Sequence, residues 1–192
     1  INDDFNAQFS HIPKRVFGLF SVSDLSAGAS HTCAIDTGKV YCWGANLFGQ
    51  LGHDPSVNNG YTRKAVLVPG TDDTKWERVY AGGKHTCALS ESAEVWCWGD
   101  STYGQSGKKS NSPTLWRPPE KLSMVDATRM SLGFNHTCAG QDDFVSCWGQ
   151  ASSGKTLRNE TVSQSQWHIP QLYSFSSGVS GLSLGREHTC AL

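Results

Sequence analysis

Several features are scarce in this chain. Its apolar runs are only a few residues long, whereas a membrane-spanning helix needs about 20. Charge is thin, at 17% of residues, and neither sign is in surplus: 16 Lys plus Arg stand against 17 Asp plus Glu, a formal net charge of −1. A protein held to nucleic acid mainly through phosphates needs a basic excess, so nucleic acid is not an expected partner. Helical periodicity is weak throughout. The chain opens on Ile1, and no basic-then-apolar leader precedes it, so it is expected to be a piece of a longer protein. What is plentiful is Gly, with 20 copies in 192 residues, and Trp, with 7. Many glycines and tryptophans with little charge suit a turn-rich all-β architecture, and the length is enough to bury a core.

The dominant feature is internal repetition. Gly-x-x-His-Thr-Cys-Ala occurs four times, beginning at Gly28, Gly82, Gly133 and Gly185, and its histidines His31, His85, His136 and His188 are spaced by 54, 51 and 52 residues. Cys-Trp-Gly follows in the first three units, as Cys42-Trp43-Gly44, Cys97-Trp98-Gly99 and Cys147-Trp148-Gly149. Then come Gly49-Gln50-Leu51-Gly52, Gly104-Gln105-Ser106-Gly107 and a degraded Gly154-Lys155-Thr156. Each unit reads as short strands. Thr32–Ile35 and Val40–Trp43 flank a hairpin turn centred on Thr37-Gly38, and Val66–Val68 and Trp76–Tyr80 look like further strands. About four short strands per roughly 50 residues is the period of a β-propeller blade. The whole chain, 1–192, therefore reads as a partial β-propeller of about three and a half blades. Counted from the motif, 1–27 ends a preceding blade, 28–81, 82–132 and 133–184 are three repeats, and 185–192 starts a fourth.

Six of the seven cysteines fall into three pairs at the same period, and Cys190 is left over. A turn centred on Thr37-Gly38 puts Cys33 directly across from Cys42, and one on Asp142-Asp143 puts Cys138 across from Cys147. Cys87 and Cys97 have one more residue between them, absorbed by a three- or five-residue loop around Ser92. Opposed positions on an antiparallel pair lie within disulfide range, so one bridge per blade is expected. Cys190 holds the first-cysteine place of the fourth unit, with its partner expected beyond Leu192. Repeated cystines point to an oxidising compartment. Asn159-Glu160-Thr161 and Asn135-His136-Thr137 are glycosylation sequons, so N-linked glycans are expected at Asn159 and Asn135.

The pattern Gly-x-x-His-Thr-x-Ala, then Val-Tyr-x-Trp-Gly-x-Asn-x-x-Gly-Gln-Leu-Gly, resembles the regulator of chromosome condensation repeat family. The best match is Gly28 through Gly52; the second unit departs at Ser101 and Ser106, and the third loses the Gly-Gln-Leu-Gly tail. The resemblance implies a ring of usually seven blades. The founding family activity, guanine nucleotide exchange on a small GTPase with chromatin attachment, is intracellular, where cystines would be reduced. The Crinkly-type receptor kinases and the propeller-shaped β-lactamase inhibitors resemble the chain in repeat type.

Motifs that look like chemistry trace back to the repeat. Gly149 through Thr156 spells a phosphate-loop pattern, but the same frame appears as Gly44 to Leu51 and Gly99 to Ser106 with Gln in place of Lys. No helical stripe follows it, so neither nucleotide nor cofactor is expected. A zinc set of His31, Cys33 and Cys42 lacks a recurring fourth donor, so no metal is expected. The four motif histidines are expected to be structural, bonding backbone near their own Gly turn. Trp43, Trp98 and Trp148 are expected to pack blade against blade. No Ser-His-Asp, paired-carboxylate or His-Glu-x-x-His signature can be assigned, so no catalytic residue and no enzyme activity are expected. The leading reading is a secreted or cell-surface glycoprotein, a disulfide-stapled scaffold for structural, adhesive or other protein-protein contacts. A receptor ectodomain or secreted inhibitor is the alternative. The connections from His53 to Thr62 and from Lys108 to Arg117 are candidate contact loops.

Overall fold

The structure, a computed structural model, describes residues 12–108, 116–151, 166–176 and 178–192. It is all-β, with a single 3-10 turn over Val57–Gly60 among the described residues. Strands β1 (Val22–Ala27), β2 (His31–Asp36), β3 (Lys39–Ala45) and β4 (Tyr61–Leu67) form one antiparallel meander. Strands β5 (Trp76–Ala81), β6 (His85–Ser90), β7 (Glu94–Asp100) and β8 (Trp116–Asp126) form the second. A third holds β9 (Arg129–Leu132), β10 (His136–Gln141), β11 (Phe144–Gln150) and β12 (Gln166–Ser174). Strands β13 (Leu182–Leu184) and β14 (Thr189–Ala191) begin a fourth. Each meander is one propeller blade. The first strands of successive sheets, β1, β5, β9 and β13, adjoin one another and make the inner wall.

The sheets are offset by one strand from the sequence repeats counted at the motif. The run 28–81 starts inside the turn between β1 and β2 and ends with β5, which hydrogen-bonds into the next sheet. The motif lies between the first two strands of a blade, so a period counted from it cuts every innermost strand away from its own sheet.

The central hairpins have the register that the cysteine spacing implies. Asp36 pairs Lys39 around Thr37 and Gly38, both at positive φ (51° and 76°), the backbone of a two-residue turn that follows strand twist. Cys33 pairs Cys42 and Cys138 pairs Cys147 in these ladders. In the middle hairpin the additional residue makes a three-residue loop, Glu91–Ala93, with Ala93 at φ 64°. The outer ladder of each four-stranded blade is irregular at the tryptophan: pairing shifts between Cys42 and Gly44, Cys97 and Gly99, and Cys147 and Gly149. The glycine after each bulged tryptophan has φ of 106°, 96° or 101°, and a Cβ there would lie within 2.8 Å of the carbonyl of Ser30, Lys84 or Asn135. That is why Cys-Trp-Gly recurs with Gly.

The cores lie between blades. One gathers Cys33, Ile35, Val40, Cys42 and Leu51 from the first blade with Val79, Ala88 and Trp98 from the second. The next gathers Cys87, Leu89, Val95 and Cys97 with Met130, Ala139 and Trp148. Each of these two seams therefore seats the cystine of one blade under the tryptophan of the following one.

Candidate functional site

Strand alternation sends neighbouring side chains to opposite faces of a sheet. In His-Thr-Cys the histidine and cysteine face the following blade and the threonine faces the preceding one. The seam between the first two blades shows the result. Thr86 Oγ1 donates to the Gln50 carbonyl at 2.8 Å, and Trp98 Nε1 donates to the same carbonyl at 3.0 Å. His31 Nε2 lies 2.8 Å from Thr86 Oγ1. A hydroxyl has one proton, here spent on Gln50, so His31 must donate through Nε2 and is the neutral Nε2-H tautomer. The second seam repeats this relay. His85 Nε2 sits 2.9 Å from Thr137 Oγ1, and Thr137 Oγ1 and Trp148 Nε1 donate to the Gln105 carbonyl at 3.0 and 2.9 Å. In the third seam His136 Nε2 lies 3.1 Å from Thr189 Oγ1.

This corrects the expected role of the histidines. The Nε2 atoms of His31, His85 and His136 bond a hydroxyl of the next blade rather than backbone of their own turn. The turn is held by main chain instead, with Gly28 N donating to the His31 carbonyl (2.8 Å) and Gly82 N to that of His85 (2.9 Å). The Cε1–Nδ1 edge of the imidazole packs against the motif glycine, where a Cβ at Gly28 or Gly82 would come within 2.5 Å of Cε1. Burial holds the imidazoles far below the ordinary histidine value of 6.5: His31 is lowered to about 4 and His85 to about 3. For His85 the neighbouring histidines add to the effect of desolvation. The Nδ1 atoms of His31 and His85 are buried without a hydrogen-bond partner, as neutral acceptors rather than cations.

Thr86, Thr137, Gln50 and Gln105 are the site residues that sequence reasoning left without a role. The signal was there, since Thr follows every motif histidine and the Gln recurs at the same period. The glutamine side chains brace their own loops, with Oε1 accepting from Phe48 N (2.9 Å) and Tyr103 N (2.8 Å).

The six paired cysteines form Cys33–Cys42, Cys87–Cys97 and Cys138–Cys147, with Cα atoms 4.1, 4.1 and 4.2 Å apart. Cys190 is exposed and is joined to no other cysteine among the described residues. Both thiols of the weighed zinc set are consumed in a cystine, and among the described residues no group of three or more metal-binding side chains occurs. Trp98 and Trp148 are fully buried, while Trp43, on the face of the first blade turned away from the second, is half-buried. His188 is exposed. Asn135 is half-buried beside Gln150, whereas Asn159 and the Gly154-Lys155-Thr156 segment lie outside the described residues. Of the candidate contact loops, Tyr61 and Thr62 belong to β4 and Trp116 and Arg117 to β8.

The sequence matches the family described as regulator of chromosome condensation (RCC1) repeat over residues 22–50 and 76–105, and again over 37–89. It is similar to the ultraviolet-B receptor UVR8 of Arabidopsis thaliana, 32% identical over 88% of this chain and 38% of that protein. It is also similar to the secretion-regulating guanine nucleotide exchange factor of Mus musculus (29%, covering 74% of this chain and 34% of that protein). The probable E3 ubiquitin-protein ligase HERC6 of Homo sapiens is 29% identical over 97% of this chain and 19% of its own length. The chain thus spans well under half of these relatives. Among solved structures, human WBSCR16 superposes with a TM-score of 0.78 at 20% identity, covering 91% of this chain and 47% of that one. Prp20p of Saccharomyces cerevisiae, studied for its binding to Gsp1p and histones, does so with a TM-score of 0.76 at 21% identity, over 91% of this chain and 44% of its own. At such identities these neighbours share the fold alone.

Proposed function

Since this chain is built from RCC1 repeats, we propose that it is the disulfide-stapled part of a propeller that acts as a non-enzymatic protein-interaction scaffold in an oxidising, extracellular or cell-surface setting. The supporting observation is the cystine repeated in three consecutive blades, at directly opposed and fully buried positions. A reducing compartment would leave six thiols in the seam cores, and selection for one opposed pair per hairpin would have no target. Function on such a scaffold resides in the exposed turns and loops, with the seams keeping them rigid. The exchange-factor and ligase names belong to relatives of which this chain covers a minor part, and no residue constellation described above supplies either chemistry.

Peptide mapping of natively purified full-length protein without reductant tests the reading. Linked peptides carrying Cys33–Cys42, Cys87–Cys97 and Cys138–Cys147 are expected. Free thiols at all six positions would overturn it.

A further inference from the structure

Asn135 precedes the motif histidine of the third blade, where the other units carry Ser30, Lys84 and Glu187. Four unrelated side chains at one partly or fully exposed position mean that the seam does not depend on this residue's packing. The main chain there is fixed independently, because the Asn135 carbonyl accepts from Gln150 N at 2.8 Å. The Asn135 side-chain amide donates to Gln150 Oε1 at 3.2 Å, and an amide bearing one sugar keeps one N–H for that bond. Its sequon partner is placed quite differently. Thr137 is fully buried, with Oγ1 accepting from His85 and donating to Gln105, and the next residue, Cys138, is joined to Cys147.

We propose that Asn135 carries an N-linked glycan that is attached only before the third blade closes onto the second. This rests on the oxidising-compartment reading above. The glycosylated asparagine stays at the surface of the folded protein, while the hydroxyl a transferase must read is sealed in the seam. In the transfer, the Asn135 amide nitrogen forms a bond to the anomeric carbon of a lipid-pyrophosphate-linked oligosaccharide. The bond from that carbon to the phosphate oxygen breaks, the lipid pyrophosphate leaves with the electron pair, and one amide proton passes to a base of the transferase. No redox change occurs.

The test uses full-length protein produced with glycan addition blocked. It is offered to secretory-pathway membranes with the lipid-linked donor, either native and oxidised or unfolded and kept reduced. An unrelated acceptor peptide confirms that the membranes are active. Occupancy of the Asn135 peptide, read by mass spectrometry, is expected to be at least about 10-fold higher for the unfolded chain, since the native one must open its seam first. The Asn135→Gln variant should show none at that peptide. Equal occupancy in the two forms, or a bare Asn135 in the unfolded chain, overturns the proposal. A bare Asn135 beside a modified Asn159 sinks this inference and leaves the compartment reading intact, whereas free thiols in native material sink the compartment reading itself.

Discussion

His31 and His85 are hydrogen-bond donors that must stay neutral, because Nε2 serves a hydroxyl whose own proton is committed and Nδ1 has no partner. Thr86→Val keeps the volume but strands the His31 donor in a dry seam, a loss expected to cost about 2 kcal/mol. Thr86→Ser retains the hydroxyl and should cost less than about 1 kcal/mol; urea unfolding of the two variants makes the comparison. The histidines also set an acid dependence. Unfolded, they take up protons near 6.5; folded, His31 does so only near 4 and His85 near 3. Between those values the unfolded state binds more protons, so stability is at its full value above about 6.5 and falls as pH drops toward 4 and then 3. Across its window His31 accounts for about 3 kcal/mol and His85 for about 5 kcal/mol. A urea midpoint that is the same at pH 7 and pH 4.5 would contradict this.

The hairpin is the unit in which sequence and structure agree most closely. Its turn, its register and its cystine are local, so residue spacing alone determines them. Each bridge spans 9 or 10 residues of sequence, a short loop worth about 2–3 kcal/mol in the chain-entropy account. The Cys87→Ala, Cys97→Ala pair should lower stability by about that much while the sheet signal in circular dichroism remains. The middle hairpin has a correctable fault, since Ala93 holds φ 64°, a region that costs a side chain free energy. Ala93→Gly is expected to stabilise by about 0.5–1 kcal/mol, seen as a rise in Tm. The tryptophan bulge, by contrast, could not be read from spacing, because it depends on the outer strand that the connecting loop delivers.

Across the molecule, the relays of the first two seams run in one direction: histidine of one blade, threonine of the next, back to the carbonyl of the first. Coupling should follow these lines. A double-mutant cycle on His85→Ala and Thr137→Val, which share a hydrogen bond, is expected to give about 1 kcal/mol or more of interaction energy. His31→Ala with Thr137→Val, which share no partner, should be additive within about 0.5 kcal/mol. If the two cycles give equal coupling, the relay does not transmit between blades as described.

Repetition, strand period and cysteine spacing were enough by themselves to establish an all-β propeller of stapled hairpins, because each is a short-range property: a turn type, an alternation, a Cα separation across two paired strands. The partner of each histidine was out of reach in that way. It lies more than 50 residues away along the chain, and the glycine three positions earlier is the nearer candidate on paper. Blade-to-blade packing decided it, since excluding water from the seam leaves the imidazole only the facing hydroxyl to bond. The same packing set the division of labour in the His-Thr pair and moved the blade boundary one strand upstream of the motif, consequences of which sheet faces meet.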